Sequence, residues 1–131
     1  MRAGKLAFRF RALTIACTDH RRSEEFYRKV LGAVPLPTDD PGYGCPWLQI
    51  GSLAITLMPN ATERSPAKFP THAMPILWLE VAELAAAAKW FARHGVEVVD
   101  PGDGQFMQVA DPDGLVIEVW QARPESEEAG A

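Results

Sequence analysis

The feature that most limits the possible folds of this chain is an internal repeat of 63 residues. A strand pattern, a helix pattern and a glycine follow one another twice, and the two glycines, Gly32 and Gly95, are separated by this interval. Glycine suits the left-handed conformation with which many helices end. A repeat of this length indicates two copies of one supersecondary module.

Each copy opens with a strand and a helix that have one apolar face each. Apolar residues recur at every second position in the strands and at every third or fourth position in the helices. Asp19 is placed to cap the first helix. The residues predicted to face the core are Leu13, Ile15, Cys17, Phe26, Tyr27, Val30 and Leu31 in the first copy and Leu77, Leu79, Val81, Leu84, Ala88 and Phe91 in the second.

Three short strands are predicted after each helix, so each copy is a βαβββ module of an α+β fold. The first β-strand of each copy is predicted at 13–18 and 76–81, and the later ones at 34–37, 47–50, 53–58, 96–99, 105–110 and 116–121. The modules then span about residues 8–59 and 73–122 of a single domain, 1–131. The stretch 60–72 is the predicted linker, and 123–131 is a predicted frayed tail.

Size and composition argue against several classes of function. The chain has 131 residues and a formal net charge of -4, which gives no electrostatic basis for binding nucleic acid or an anionic membrane. No apolar run approaches the roughly 20 residues of a membrane span, and no signal peptide is recognisable. Cys17 and Cys45 are therefore expected to be reduced thiols of a cytoplasmic protein, with a disulfide between them as the alternative.

The strand faces turned away from the helices carry an unusual set of side chains. A solvated face rarely holds tryptophans, whereas aromatic walls with a few polar groups are typical of a small-molecule pocket. We therefore predict that this face binds a ligand. The side chains that strand parity places there include Thr14, Thr56, Met58, Ile76, Trp78, Glu118 and Trp120, with Trp47 and Phe106 added from the middle strands.

Two motifs near the ends of the chain resemble the vicinal oxygen chelate superfamily. The first is a strand followed by Asp19, Ser23, Phe26-Tyr27 and Leu31-Gly32, and the second runs from Asp111-Pro-Asp-Gly114 to Glu118. That superfamily includes glyoxalase I, fosfomycin and bleomycin resistance proteins, methylmalonyl-CoA epimerase and extradiol dioxygenases. The resemblance implies two βαβββ modules that form a curved mixed sheet around a shared cavity, usually in a homodimer.

The resemblance also implies where a metal ion would bind, with one ligand from each of four strands. The residues at these positions are Ala12, Thr56, Ile76 and Glu118. Alanine and isoleucine offer no donor atom and a threonine hydroxyl is a weak ligand, so only Glu118 is left to hold a divalent ion. We therefore expect no metal ion and no other cofactor. Bringing in His72, four residues before Ile76, would need a four-residue shift of register and a large change in the loop.

Alternative interpretations stay open for the residues of this face. Glu118 either binds a cationic ligand group, acts as a general base, or only accepts a hydrogen bond from a hydroxyl such as Thr56 or Thr14. Trp78 and Trp120 either stack on a ligand or fill the cavity or a dimer interface. Structural positions are expected for His20, His94 and Cys45, and a flanking position for Trp90.

The sequence thus predicts a cytoplasmic homodimer that holds a small molecule without a metal ion. The ligand would be aromatic or apolar, with Glu118 favouring a cationic one, as in the sequestration of an antibiotic or natural product. The alternative is an enzyme of the superfamily: a lyase, isomerase, epimerase or dioxygenase. Such an enzyme would use Glu118 as a general base, or metal ligands at positions other than those assigned above.

Overall fold

The computed structural model describes residues 6–37 and 44–123, which form two four-stranded sheets with one helix each. The elements in chain order are β1 (Leu13–Ala16), α1 (His20–Lys29), β2 (Val34–Pro35), β3 (Trp47–Ile50), β4 (Leu53–Met58), β5 (Leu77–Val81), α2 (Leu84–Arg93), β6 (Glu97–Asp100), β7 (Phe106–Ala110) and β8 (Val116–Gln121). This order confirms the predicted α+β fold of two βαβββ modules. Residues 1–5, the loop segment 38–43 and residues 124–131 of the predicted tail lie outside the described residues.

The two sheets repeat the same strand order, which is how the sequence repeat appears in the structure. The order is β1-β4-β3-β2 in the first sheet and β5-β8-β7-β6 in the second. In each module the first strand pairs in parallel with the last, and the remaining pairs are antiparallel. Strands β1 and β5 are therefore edge strands of their sheets.

The ends of the helices follow the predicted signals, and one helix face differs from the prediction. Asp19 caps α1, because its carboxylate accepts hydrogen bonds from the backbone N–H groups of Arg21 and Arg22. In α2, Leu84 and Phe91 lie in the core as predicted, but the alanine that packs beside them is Ala87, whereas the predicted Ala88 is exposed. A period of 3.6 residues allows either position, and the packing of the helix on β8 selects Ala87.

Several predicted strand ends are also corrected. β1 ends at Ala16 rather than at 18, because the backbone N–H of Thr18 turns away to bond the carboxylate of Asp113. β2 is only Val34–Pro35 instead of 34–37, in keeping with a proline-rich segment that cannot fully pair. β5 and β7 each begin one residue later than predicted. β6 lies one residue further along the chain than predicted, at Glu97–Asp100, and its register with β7 is irregular.

One hydrophobic core serves both modules. Each helix packs on its own sheet, α1 against β4 and α2 against β8. The buried apolar residues of both modules then form one continuous cluster, which includes Ile15, Tyr27, Leu57, Phe91 and Ile117. The core therefore draws on residues of both modules.

Two carboxylates in the turn between β7 and β8 tie the second module to the first. Asp111 accepts a hydrogen bond of 2.7 Å from the hydroxyl of Tyr27 on α1. Asp113 accepts one of 3.0 Å from the backbone N–H of Thr18 and one of 3.4 Å from the hydroxyl of Ser23. Both carboxylates are almost fully buried, and burial raises the pKa of Asp111 above its ordinary value. The sequence predicts this turn, but its role in joining the modules emerges only from the structure.

Within the parts of the chain that the structure describes, no helix has the length and hydropathy needed to cross a bilayer.

Cys17 and Cys45 are both buried and are not joined in a disulfide.

Candidate functional site

The sheet register brings the predicted ligand-site residues of the second module together. Glu118 on β8 lies opposite Trp78 on β5 and Gln108 on β7, and Trp120 lies opposite Phe106. Because residues two apart on a strand share a face, all five side chains project from the same side of the sheet. We call these five residues the aromatic face.

Three rings of the aromatic face form a continuous stack. Trp120 is the middle ring, with its centroid 5.0 Å from that of Trp78 on one side and 5.0 Å from that of Phe106 on the other. The planes of the two indoles differ by only 14°. Trp78 ends the stack and is 61% exposed. The stack therefore presents a large, preformed apolar surface to solvent.

Glu118 lies beneath this stack with its charge held by neutral donors. The carboxylate accepts hydrogen bonds of 2.8 Å from the amide of Gln108 and 2.7 Å from the indole N–H of Trp120. Its side chain is buried, with 8% of its surface exposed, and it forms no ion pair with a basic residue among residues 6–37 and 44–123. The expected hydroxyl partners Thr56 and Thr14 do not bond it; the actual partners are Gln108 on the neighbouring strand β7 and Trp120, two residues further along β8 itself.

The predicted site residues of the first module lie on the equivalent face of the other sheet. Thr56 aligns with Trp47 and Thr14, and its hydroxyl donates to the carbonyl of Pro46 at 3.1 Å. Met58 is 41% exposed. The buried indole N–H of Trp47 has no acceptor among the described residues, and the guanidinium of Arg11 lies 5.1 Å from the centre of the Trp47 ring. This half of the face offers an unused hydrogen-bond donor.

Two cavities lie where the modules meet, and each is lined by both. The smaller, of about 380 Å³, brings together the predicted site residues Thr14 and Ile76. The larger, of about 1110 Å³, is an open groove, which we call the seam groove. Its lining includes Leu31 and Ile50 from the first module and Trp78, Val81, Ala86 and Phe91 from the second. The sequence predicts Trp78 as a site residue but does not predict this groove, because a repeat pattern carries no information on how the two modules pack together.

The donor set at the metal positions implied by the resemblance does not fit a divalent ion. Ala12 and Ile76 have no donor atom, and the hydroxyl of Thr56 is already bonded to a backbone carbonyl. Both carboxylate oxygens of Glu118 accept bonds from neighbouring side chains. Among the residues described, no group of three or more His, Cys, Asp or Glu side chains is placed to hold a metal ion.

Comparison with known proteins places these observations in a family. Residues 9–119 match the model of the Glyoxalase/Bleomycin resistance protein/Dioxygenase superfamily. No curated protein is significantly similar to the chain in sequence.

Solved structures with the same fold include resistance proteins. The fosfomycin resistance protein FosX from Mesorhizobium loti is 16% identical, with a TM-score of 0.66 over 95% of this chain and 99% of that one. A mutant of FosX from Listeria monocytogenes, complexed with Mn(II) and 1S,2S-dihydroxypropylphosphonic acid, is 14% identical, with a TM-score of 0.69 over 97% and 98% of the two chains. A protein of unknown function from Agrobacterium tumefaciens is 26% identical, with a TM-score of 0.66 over 93% and 100%.

Proposed function

Because the chain belongs to the glyoxalase/bleomycin resistance protein/dioxygenase superfamily, we propose that it is a metal-independent small-molecule binding protein of that superfamily. Its ligand would be a planar aromatic or apolar cation, and its role the sequestration of an antibiotic or natural product by a cytoplasmic homodimer. The observation that carries this proposal is the aromatic stack. A stacked indole that is 61% exposed offers a face that a planar ligand can cover at little entropic cost.

The charge of the ligand follows from the position of Glu118. Its carboxylate lies directly below the stack, and the two donors that hold it, Gln108 and Trp120, are neutral. A buried carboxylate without a cationic partner favours the binding of a positive group nearby.

Metal independence is supported by the side chains at the four positions where the resemblance would place metal ligands: Ala12, Thr56, Ile76 and Glu118. Ligation through Glu118 alone would leave a divalent ion mostly hydrated, and weakly held. The structural similarity to FosX, one structure of which contains Mn(II), concerns the fold.

The first test is a titration of chelator-treated protein. Planar aromatic cations, such as a protonated aminoacridine, should quench tryptophan fluorescence saturably, with a Kd of about 1–100 µM. Calorimetry of the same protein with Ni²⁺, Zn²⁺, Mn²⁺ and Fe²⁺ should show no binding in that range. One tight metal site per chain would overturn the proposal and favour the metal-dependent enzymes of the superfamily. Failure of every aromatic cation to saturate would overturn the choice of ligand.

Glu118→Gln should separate charge recognition from stacking. The introduced amide can accept from the indole of Trp120 and donate to a reoriented Gln108, so the fold should be retained. We expect affinity for an aromatic cation to fall about 10- to 100-fold, while affinity for a neutral ring of the same shape changes less than about twofold. Calorimetry with the two ligands measures both effects.

Glu80→Gln is the matched control for this variant. Glu80 lies on the same side of the sheet, two residues from Trp78 on β5, but it is exposed and therefore screened by solvent. Its replacement should lower the affinity for an aromatic cation much less than Glu118→Gln does. The opposite result, with binding intact in Glu118→Gln but a turnover activity lost, would identify Glu118 as a general base and the protein as an enzyme.

A further inference from the structure

The seam groove runs along the open edge of β5 and meets the aromatic face there. β5 pairs with β8 on one side only, so its other side is an edge of the second sheet. Four consecutive residues of this strand line the groove: Trp78, Leu79, Glu80 and Val81. Alternate residues of a strand point to opposite faces, so a groove lined by all four must pass around this edge. Trp78 therefore belongs both to the groove and to the stack of rings on the aromatic face.

The floor of the groove is apolar. Leu79 and Val81 of β5 and Ala87 of α2 all line it and pack against the hydrophobic core below. The apolar side chains that the first module contributes are Val30, Leu31, Ile50 and Leu53. A surface of this kind favours the apolar part of a ligand, because contact with it removes methylene groups from water.

Two carboxylates of the groove have no basic partner. Glu80 and Glu83 both line it and both are exposed, and neither forms an ion pair within residues 6–37 and 44–123. Glu83 is the N-cap residue of α2, yet its side chain makes no capping hydrogen bond; the backbone N–H of Leu84 donates instead to the amide oxygen of Gln121. No lysine or arginine of the described chain lines the groove. Two uncompensated negative charges beside an apolar floor favour a cation with an apolar body.

We propose that the seam groove is a second subsite for the ligand of the aromatic face, and that it takes an alkyl side arm ending in an amine. This inference deepens the proposed function and rests on it. The planar ring would cover Trp78, the methylene groups would lie on the apolar floor, and the terminal ammonium would face Glu80 and Glu83. Glu80 follows Trp78 by two residues, about 7 Å along a strand, which an arm of about four methylene groups spans. The ligand class is thus a planar aromatic cation with an aminoalkyl arm.

Three ligands that share one ring test this arrangement. They are aminoacridine, its N-butyl derivative and its N-aminobutyl derivative, all with the ring protonated at neutral pH. Calorimetry at low ionic strength should give the butyl compound about three- to tenfold higher affinity than the plain ring, because its methylene groups leave water. The terminal ammonium should raise the affinity about threefold further. High salt should remove this second gain, because the two carboxylates are exposed.

Ala86→Phe tests whether the arm lies in the groove. Ala86 is exposed and lines the groove, so a phenyl ring at this position would occupy the space of the arm. The ratio of the affinities of the butyl compound and the plain ring should fall to about one. Ala88→Phe is the matched control, since Ala88 is also exposed on α2 but does not line the groove. In this control the ratio should stay within about twofold of its native value.

The double variant Glu80→Gln/Glu83→Gln tests the charge match. The ratio of the affinities of the aminobutyl and butyl compounds should fall to about one, because only the aminobutyl arm carries a charge at its end. Its control is Glu63→Gln/Asp103→Asn, which removes two exposed carboxylates that lie outside the groove and so changes the net charge equally. Equal ratios in the two double variants would contradict the proposed position of the ammonium.

Failure of this inference can be distinguished from failure of the proposed function. If none of the three ligands binds, the proposed function fails and the second subsite with it. If the plain ring binds but an arm adds less than about twofold, or adds equally in Ala86→Phe and Ala88→Phe, only the second subsite is overturned. A gain that appears only when the exposed Phe8 and Phe10 are replaced by serine would overturn it as well, since the chain's own segment before β1 would then cover the groove. A gain that falls with rising protein concentration would assign the groove to a second copy of the chain.

Discussion

Replacement of Asp111 by alanine is expected to lower the free energy of unfolding at pH 7 by about 3–5 kcal/mol. Three donors converge on this buried carboxylate: the hydroxyl of Tyr27 at 2.7 Å, and the backbone N–H groups of Asp113 at 2.8 Å and Leu115 at 2.9 Å. Alanine would leave all three without an acceptor in a region closed to water. Because Tyr27 belongs to the first module, the contact between modules should loosen as well.

Asp111→Asn should be much less damaging, and its effect should depend on pH. The introduced amide keeps an oxygen for the backbone donors, and its NH₂ group can donate to the hydroxyl of Tyr27. Burial raises the pKa of Asp111 above its ordinary value of 3.8. The native carboxyl therefore contributes most to stability below pH 3.8, and its contribution falls as the pH rises through the raised pKa. The amide does not titrate, so the deficit of Asp111→Asn should shrink over that interval.

Urea denaturation at one fixed protein concentration, repeated between about pH 3 and pH 7, would measure both variants. Asp103→Ala is the control, since the exposed Asp103 also accepts a backbone N–H bond, from Gln105, in a turn. Its cost should be below about 1 kcal/mol. Equal losses of unfolding free energy in Asp111→Ala and Asp103→Ala would mean that the buried hydrogen bonds of Asp111 contribute little to stability. A deficit of Asp111→Asn that grows with pH would contradict the assigned direction of the pKa.

The fold could be predicted because its determinants are local and occur twice. Two-residue periodicity marks β1 and β5, the cap at Asp19 marks the start of α1, and Gly32 and Gly95 adopt φ values of 72° and 65° after the helices. These signals need only neighbouring residues to be recognised. The choice between Ala87 and Ala88 was wrong because the rotation of α2 depends on what it packs against.

The contacts between the modules could not be predicted, because they join residues that are far apart in sequence. Asp111 and Asp113 lie in a turn of ordinary composition, and their partners Tyr27, Thr18 and Ser23 lie more than eighty residues earlier. Nothing in the turn itself indicates burial. The seam groove arises in the same way, from the distance between two modules rather than from any motif.

The sequence predicts which side of the sheet the site residues occupy, but not which contacts they make with one another. Strand parity correctly placed Trp78, Glu118 and Trp120 on one side of the second sheet. Parity does not determine side-chain rotamers, so only the structure shows the stack of rings and the two neutral donors to Glu118. The first-module residues Thr56 and Trp47 share a face of the other sheet. Their part in ligand binding remains a prediction that the titrations above would test.

Trp78→Ala should weaken the binding of a planar aromatic cation about 30- to 300-fold. The indole of Trp78 is the exposed end of the stack, 5.0 Å from Trp120 and 61% accessible, so a ligand that covers it loses most of its contact area when the ring is removed. Since the side chain is exposed, its loss should change stability by less than about 1 kcal/mol. Calorimetry is the appropriate measurement, because the substitution also alters the fluorescence signal.

Trp90→Ala removes the same residue type from α2, where its indole N–H bonds the carbonyl of Val30 and its ring packs on His94 rather than on a ring of the aromatic face, although it lines the seam groove with Trp78. Ligand affinity should stay within about threefold of the native value in this control. Trp120→Phe supplies a second comparison: it keeps an aromatic ring between Trp78 and Phe106 but removes the donor to Glu118. A loss of affinity in Trp120→Phe that is smaller than in Trp78→Ala and larger than in Trp90→Ala would show that the aromatic ring and the buried charge of Glu118 both contribute to binding. If Trp78→Ala and Trp90→Ala weaken binding equally, or neither does, the ligand binds elsewhere and the exposed stack must instead be covered by protein.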